Sequence, residues 1–296
     1  MQSTVSLNAV HVLNRLKIYV ELVKVRLSFL VAFSAAFGYL LGHSGAINWV
    51  SFLSLAMGGF LISGSSITLN QIIEQVHDAK MKRTKNRPLP TGRISNNEAL
   101  FYALLNAFAG LSLLAWQTNM LTLSLAVLSM ILYSFVYTPL KRVGPIAVFV
   151  GAIPGALPPL LGWVAATGVI SHEALIIFGI QFIWQFPHFW AIAWIADEDY
   201  KKAGFKLLPG KGKKDLNTAI NIMIYTLFLL PLGLLPTYFQ LTGITSGIIA
   251  TICGTLFLAQ TFSLMKDNSR QSALKIMFGS FIYLPIVQLA YLIDKI

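Results

Sequence analysis

The segment Asn70-Gln-Ile-Ile-Glu74-Gln-Val-His-Asp78 sets three oxygen-bearing side chains four residues apart. If the segment is helical, each step drifts only about 40° around the axis, so all three project from one face. Such a stripe suits a hard cation like Mg2+, which is held by one or two carboxylates plus substrate phosphates and keeps several waters. The alternative is a solvated helix end, an exposed edge where the acids meet only water. The next residues, Lys80-Met-Lys-Arg83-Thr-Lys-Asn-Arg87-Pro88-Leu-Pro90, favour chemistry. Arginine forks clamp phosphate oxygens and lysine supplies point charge. Carboxylates beside such cations form what a metal-bound diphosphate needs. A general excess of positive charge on one membrane face explains the cations but not the adjoining acids. Pro88 and Pro90 end any helix and leave a shaped loop.

A second acidic cluster reads Asp197-Glu198-Asp199-Tyr200-Lys201-Lys202. Three consecutive acids cannot share one helix face, so at most one or two of them point into a site. Upstream stands Trp184-Gln-Phe-Pro187-His188-Phe189-Trp190. Pro187 can kink the helix that carries it. His188 lies about two and a half turns before Asp197, hence deeper. An ionisable side chain at depth in a membrane is a functional candidate. It is equally a histidine bonded to a neighbouring helix. The aromatics around it fit ordinary packing, an interface belt or stabilisation of a cation by ring faces.

These residues need elements to carry them, and composition names the class. Of 296 residues, 56% are hydrophobic and only 11% charged, less than half the share of about 25% usual in globular domains. Mean hydropathy is +0.69. So few charges cannot cover a water-soluble surface, which argues against a soluble enzyme, a disordered chain or a nucleic-acid partner. The lone cysteine, Cys253, sits in an apolar run, which argues against a disulfide framework or a cysteine-built metal site.

Nearly uncharged runs long enough to cross about 30 Å of hydrocarbon occur nine times, over 25–43, 47–69, 98–116, 119–138, 146–167, 172–195, 217–239, 243–264 and 272–293. The expected fold is therefore all-α, a single polytopic bundle of nine transmembrane helices, since open sheets cannot span lipid. Lys and Arg fall almost wholly in the N-terminal segment and in connections 70–97, 139–145, 196–216 and 265–271. The other set of loops holds only Lys295. Positive charge marks the cytoplasmic face, so the N-terminus is expected inside and the C-terminus outside, with 70–97 and 196–216 as cytoplasmic active-site loops. Residues 1–24 mix Leu, Val and Ile with Arg and Lys, which suits an interfacial helix. With neither a cleavable signal nor a long Arg-rich transit segment in view, a bacterial cytoplasmic (inner) membrane is the expected location. Each acidic cluster follows the second helix of a group of four, which suggests a loose repeat of spans 1–4 and 5–8.

Asn70-x3-Glu74-x3-Asp78, followed by Met81-x-Arg83-Thr84-x2-Arg87-Pro88-Leu89, resembles the first signature of the UbiA-type intramembrane prenyltransferases. The form is that of the haem-farnesylating, haem O synthase branch. Tyr137-Thr-Pro-Leu-Lys141-Arg142, Gly151-Ala-Ile-Pro-Gly155-Ala-Leu-Pro158-Pro159-Leu-Leu-Gly162-Trp163, and Pro187-His188-Phe189-Trp190 with Asp199-Tyr200-x2-Ala203-Gly204 agree with that branch. The resemblance covers roughly residues 15–290. Glu74 stands where the superfamily commonly has Asp, which keeps the carboxylate. The superfamily's second motif has two Asp four apart, whereas here Asp199 is followed by Ala203 and Asp197 by Lys201.

The resemblance implies farnesyl transfer from farnesyl diphosphate to the 2-vinyl group of haem b within the lipid bilayer, with water adding to complete the side chain. It implies Mg2+ as cofactor, with Asn70, Glu74, Asp78 and Asp199 around metal and diphosphate and Asp197 as a further ligand. Arg83, Arg87 and Lys202 would contact diphosphate oxygens, while Tyr137, Lys141 and Tyr200 close the site. His188 would approach the porphyrin or its iron. A downstream haem-modifying enzyme or terminal oxidase assembly would take the product. Two other readings compete. One is prenyl transfer to an aromatic quinone precursor at the same diphosphate site. The other is a transporter, suggested by Gly and Pro interruptions in spans 5 and 6 that could break helices around a midplane site. Acids at one membrane edge speak against the transporter.

Overall fold

The computed structural model describes residues 2–210 and 212–296, with side chains from Leu13 onward. Nine of its helices are long and apolar enough to cross a membrane. They are α2 (Val25–Gly42), α3 (Trp49–Asp78), α4 (Asn96–Gln117), a helix from Met120 to Leu140, α7 (Ile146–Thr167), α8 (His172–Ile195), α10 (Leu216–Tyr238), α11 (Ile244–Asp267) and α12 (Arg270–Ile293). The fourth span is composite: α5 (Met120–Ile131), a π-helical turn (Leu132–Tyr137) and α6 (Thr138–Leu140). Outside the spans lie α1 (Gln2–Val23) and α9 (Asp197–Lys202). Among the described residues the only β pairing is an isolated bridge between Thr242 and Lys295.

Local chemistry sets the helix starts. Asn48, Ser95, Asn119, Ser171, Asp215 and Ser269 each accept a hydrogen bond from a backbone N–H in the first turn of the helix that follows, satisfying donors that have no intrahelical partner. Lys24 separates α1 from α2 by adopting the left-handed conformation, with φ of 44°. That is uncommon for a residue with a Cβ, and it turns the chain sharply where it enters the bundle. Pro154, Pro158 and Pro159 lie inside α7, and Pro187 inside α8, yet both helices run unbroken. The discontinuous helices that a transporter reading anticipates are therefore not found in spans 5 and 6.

α3 is the longest element, with 30 residues. At 1.5 Å per residue it runs about 45 Å, some 15 Å more than the hydrocarbon thickness. Its last turns carry the Asn70–Asp78 stripe, beyond the length that hydrocarbon alone requires. α3 packs on α4 and α2, α2 on α7, α7 on α8, and α8 on both α10 and α12, with α11 between α10 and α12. At the α2–α7 seam backbone meets backbone. A Cβ on Gly38 would lie 1.9 Å from the Pro159 carbonyl oxygen, and one on Gly162 would lie 1.9 Å from that of Ala35. Small residues let membrane helices approach this closely, where packing replaces the missing hydrophobic drive. Buried polar side chains stitch the same region: Ser34 donates to Gln181 Oε1 at 3.0 Å, and Gln288 donates to that oxygen at 3.0 Å. These bonds hold α2, α8 and α12 together where water is absent. At the far end of the bundle, Lys295 Nζ donates to the carbonyl oxygens of Leu40 and His43.

Candidate active site

The three residues of the first stripe do lie on one face of continuous helix, and they are buried: Asn70 is 3% exposed, Glu74 3% and Asp78 0%. The exposed membrane edge read from the sequence is corrected here. Residues 79–95 do not trail into solvent but fold back in turns over the end of α3. Thr84 Oγ1 donates to the Asp78 carbonyl oxygen at 2.8 Å, which pins the turn to the helix end. Arg87 then reaches inward, its Nη1 donating to Asp78 Oδ2 at 2.6 Å.

The composite fourth span supplies the opposite wall. Asn70 Nδ2 donates to Thr138 Oγ1 at 2.9 Å, and Thr138 in turn donates to the Tyr133 carbonyl oxygen at 2.8 Å. That carbonyl belongs to the π turn, and its oxygen takes the Thr138 hydroxyl on a lone pair. Such turns recur at functional sites. The turn also aims the residues after it. Lys141 Nζ lies 2.9 Å from Glu74 Oε1 and donates to Oε2 at 3.2 Å. The same ammonium lies 4.6 Å from the centre of the Tyr137 ring. Gly151 of α7 makes room for that ring, since a Cβ there would come within 2.6 Å of it.

The second acidic cluster joins through the loop of the first. The Arg83 backbone N–H donates to Asp199 Oδ2 at 3.2 Å, and its guanidinium donates to the Tyr200 hydroxyl at 3.2 Å. Lys202 Nζ stands 3.9 Å from Asp199 Oδ1. The loops are tied again by His77, whose Nδ1 bonds the Ala203 carbonyl oxygen at 2.9 Å and whose ring stacks near Phe205. Asp197 is 6% exposed and is engaged by Lys201 at 2.8 Å and Lys214 at 3.6 Å. One acid of the run thus faces the first loop while another is held by its own loop's lysines. His188 lies apart, deeper in α8, against α12.

Two carboxylate oxygens decide whether these residues suit a divalent cation. Glu74 Oε1 and Asp78 Oδ1 are sealed from solvent and accept no hydrogen bond among the described residues. An unpartnered buried carboxylate oxygen costs free energy unless a charge completes it. The Lys141 ammonium, 2.9 Å from Glu74 Oε1 and donating to Oε2 at 3.2 Å, supplies that charge to Glu74, whereas Asp78 Oδ1 has no hydrogen-bond partner among the described residues. Among the described residues no three His, Cys, Asp or Glu side chains cluster closely enough to cage a metal alone. Magnesium does not need such a cage, because substrate phosphates and water fill its remaining positions. The donor set therefore fits Mg2+ arriving with a phosphorylated ligand.

Lys24 is the site residue that sequence reasoning missed, since it reads as one more positive charge at a membrane edge. The left-handed break places it within electrostatic reach of Arg87, Lys141, Asp78 and Arg83. Burial foremost, and then Arg87 and Lys141, push its ammonium pKa down to about 7. Lys24, Arg83, Arg87 and Lys141 together set a group of cations around Glu74 and Asp78, an arrangement that suits an anionic ligand bound through a metal ion.

The fold and sequence have close counterparts. The protoheme IX farnesyltransferase of Cytophaga hutchinsonii is 52% identical over 278 residues, covering 94% of this chain and 97% of that protein. The protein of the same name from Christiangramia forsetii is 45% identical, covering 93% and 92%. Among solved structures, one described as digeranylgeranylglyceryl phosphate synthase superposes with a TM-score of 0.79 at 24% identity, covering 94% of this chain and 98% of that one. A UbiA homologue from Archaeoglobus fulgidus, solved with GPP and Mg2+, superposes at 0.62 and 18% identity over 93% and 99%. The pattern of the UbiA prenyltransferase family runs along residues 31–284, and the chain belongs to that family.

Proposed function

We propose that this protein transfers the farnesyl group of farnesyl diphosphate to a vinyl group of haem b, making haem O. The observation that carries the reading is Asp78 Oδ1, sealed from solvent and without a hydrogen-bond partner among the described residues, beside the buried Glu74–Lys141 ion pair and the Arg87 guanidinium. The relatives' shared name, protoheme IX farnesyltransferase, supports the choice of acceptor.

Asn70, Glu74 and Asp78 would hold Mg2+, with Asp199 as the opposing carboxylate and Asp197 behind it. When bound, the ion neutralises and polarises the diphosphate leaving group. The chain's own residues do the rest. Arg83, Arg87, Lys24 and Lys202 bind the diphosphate oxygens and stabilise the charge that builds as the allylic C–O bond breaks. Lys141 leaves Glu74 for the ligand as it arrives. The half-buried Tyr137 and the Arg83-bonded Tyr200 close over the reacting carbon and keep water from the allylic cation. The vinyl carbon of the acceptor then forms the new C–C bond. Water adds to the cation left beside the macrocycle and releases a proton, completing the hydroxyethylfarnesyl chain.

We further assign the loops at 70–97 and 196–216 to the cytoplasmic side of an inner membrane, by the lysine and arginine excess there. The N-terminal helix α1 lies along that interface. The product passes on to a haem-modifying enzyme or oxidase assembly. The test is an assay with purified protein, haem b, farnesyl diphosphate and Mg2+, read by mass spectrometry with and without EDTA. A metal-dependent product heavier than haem b by one farnesyl group and one hydroxyl supports the reading. Consumption of farnesyl diphosphate with aromatic acceptors only would transfer the assignment to a quinone precursor.

A further inference from the structure

His188 is 8% exposed, with its ring stacked on Trp184 at 4.7 Å between centroids and 16° between planes. Its Nδ1 lies 2.8 Å from Ser280 Oγ of α12. The serine's single hydroxyl hydrogen is already committed, because Oγ donates to the Met277 carbonyl oxygen at 2.6 Å. With that bond made the serine accepts toward His188, an arrangement that assigns the ring proton to Nδ1. Trp184 Nε1 also donates to the Ser280 carbonyl oxygen at 3.0 Å, which fixes the plate on which the imidazole rests. The other ring nitrogen, Nε2, makes no hydrogen bond among the described residues and is not among the side-chain atoms sealed from solvent.

A histidine whose Nδ1–H is bonded to a fixed acceptor and whose Nε2 lone pair is free has the arrangement of a metal ligand. His188 lies seven residues before the end of α8 at Ile195, about 10 Å along the helix axis. Phe189 and Phe281 flank it with rings at 5.3 and 4.9 Å, an apolar surround that suits a flat macrocycle.

We infer that His188 Nε2 coordinates the iron of the porphyrin acceptor, and that Ser280 is the positioning residue that holds the imidazole in the required tautomer. This rests on the reading that haem is the acceptor. Coordination at the centre of the macrocycle leaves its rim free to reach the diphosphate site. The vinyl group is then presented to the farnesyl carbon at a fixed depth.

The test titrates the purified protein with haem b, zinc protoporphyrin and metal-free protoporphyrin IX, following the Soret band, and assays product in parallel. Wild type should bind the two metalloporphyrins at least about tenfold more tightly than the metal-free ring, and His188→Ala should lose that preference. Ser280→Ala should weaken haem binding about tenfold and change the ferric haem spectrum, whereas Ser280→Thr, which keeps the hydroxyl, restores both. The KM for farnesyl diphosphate should not move in any of them. Equal affinity of wild type for metal-containing and metal-free rings overturns the inference, and needs no variant to fold. An unchanged haem spectrum in His188→Ala, with haem O still formed by wild type, also overturns it and leaves the haem reading standing. No haem binding and no haem product from wild type removes both.

Discussion

Lys141 Nζ stands 2.9 Å from Glu74 Oε1, with both side chains nearly buried and 67 residues apart in the chain. Glu74 is the carboxylate that neutralises Lys141, whose ammonium also lies over the Tyr137 ring. Removing one charge of a buried pair leaves the other uncompensated, a cost of about 3–5 kcal/mol. Lys141→Met should therefore lower the thermal midpoint of the metal-free protein in detergent. Mg2+ with farnesyl diphosphate should recover more of that loss in the variant than it adds to wild type. Equal ligand-induced shifts in both proteins would mean that Lys141 does not hold the place of the ion.

Asp78 tests the other sealed carboxylate. It is wholly buried and bonded to Arg87 at 2.6 Å. Asp78→Asn keeps the shape and one acceptor for Arg87 but removes the charge a cation needs. Turnover should fall by about 10²–10³-fold, the range seen when one preorganised electrostatic contact is lost. The protein should still insert and purify as a folded species. Wild-type rates in this variant would dismiss the metal assignment.

Lys24 gives the site a pH dependence whose sign can be worked out. Its ammonium is pushed down to about 7 by burial and by Arg87 and Lys141. A bound diphosphate favours the charged form and so raises that pKa. Binding then takes up a proton, is strongest below pH 7, and weakens as pH rises through 7 toward the bound-state value. The KM for farnesyl diphosphate should climb between pH 7 and 9 in wild type. Lys24→Arg, permanently charged, should flatten the climb, which separates this effect from titration of the diphosphate itself.

The nine spans and the face of the Asn70–Asp78 stripe were legible because both follow from periodicity and apolar length along a single helix. The burial of the stripe was not. It comes from Thr84 and Arg87 folding a polar loop back onto α3, and from Lys141 arriving off a π turn. No local pattern marks where helical bonding loosens to a π turn, and none tells a lysine at a membrane edge from one turned inward. Lys24 was counted among positive charges for that reason, since the left-handed break that aims it is a tertiary outcome. His188 was visible as a titratable group at depth, but its tautomer depends on Ser280, 92 residues away. Prolines misled in one respect: Pro154, Pro158, Pro159 and Pro187 suggested interruptions, yet both helices run on, and Ser129 and Gln181 donate to the Pro154 and Gly155 carbonyl oxygens that Pro158 and Pro159 leave free.

The α2–α7 seam sets how closely the bundle closes, and two glycines distinguish this from a general liking for glycine in membranes. At Gly162 a Cβ would meet the Ala35 carbonyl oxygen at 1.9 Å, a backbone atom that cannot swing aside. At Gly59 of α3 a Cβ would meet nothing within 4 Å. Helix propensity alone favours alanine over glycine by about 1 kcal/mol at both positions. Overpacking at Gly162 costs about 1–3 kcal/mol or more, and the contact is with backbone, so the clash should win there. Gly162→Ala should thus lower the thermal midpoint and the yield of monodisperse protein. Gly59→Ala should leave both unchanged or slightly raised. Because α2 follows directly on Lys24 and α7 holds Gly151 against Tyr137, a seam forced apart should also reduce farnesyl transfer in whatever Gly162→Ala protein survives purification. If Gly162→Ala matched Gly59→Ala in stability and rate, the close approach of α2 and α7 would not be what positions the site.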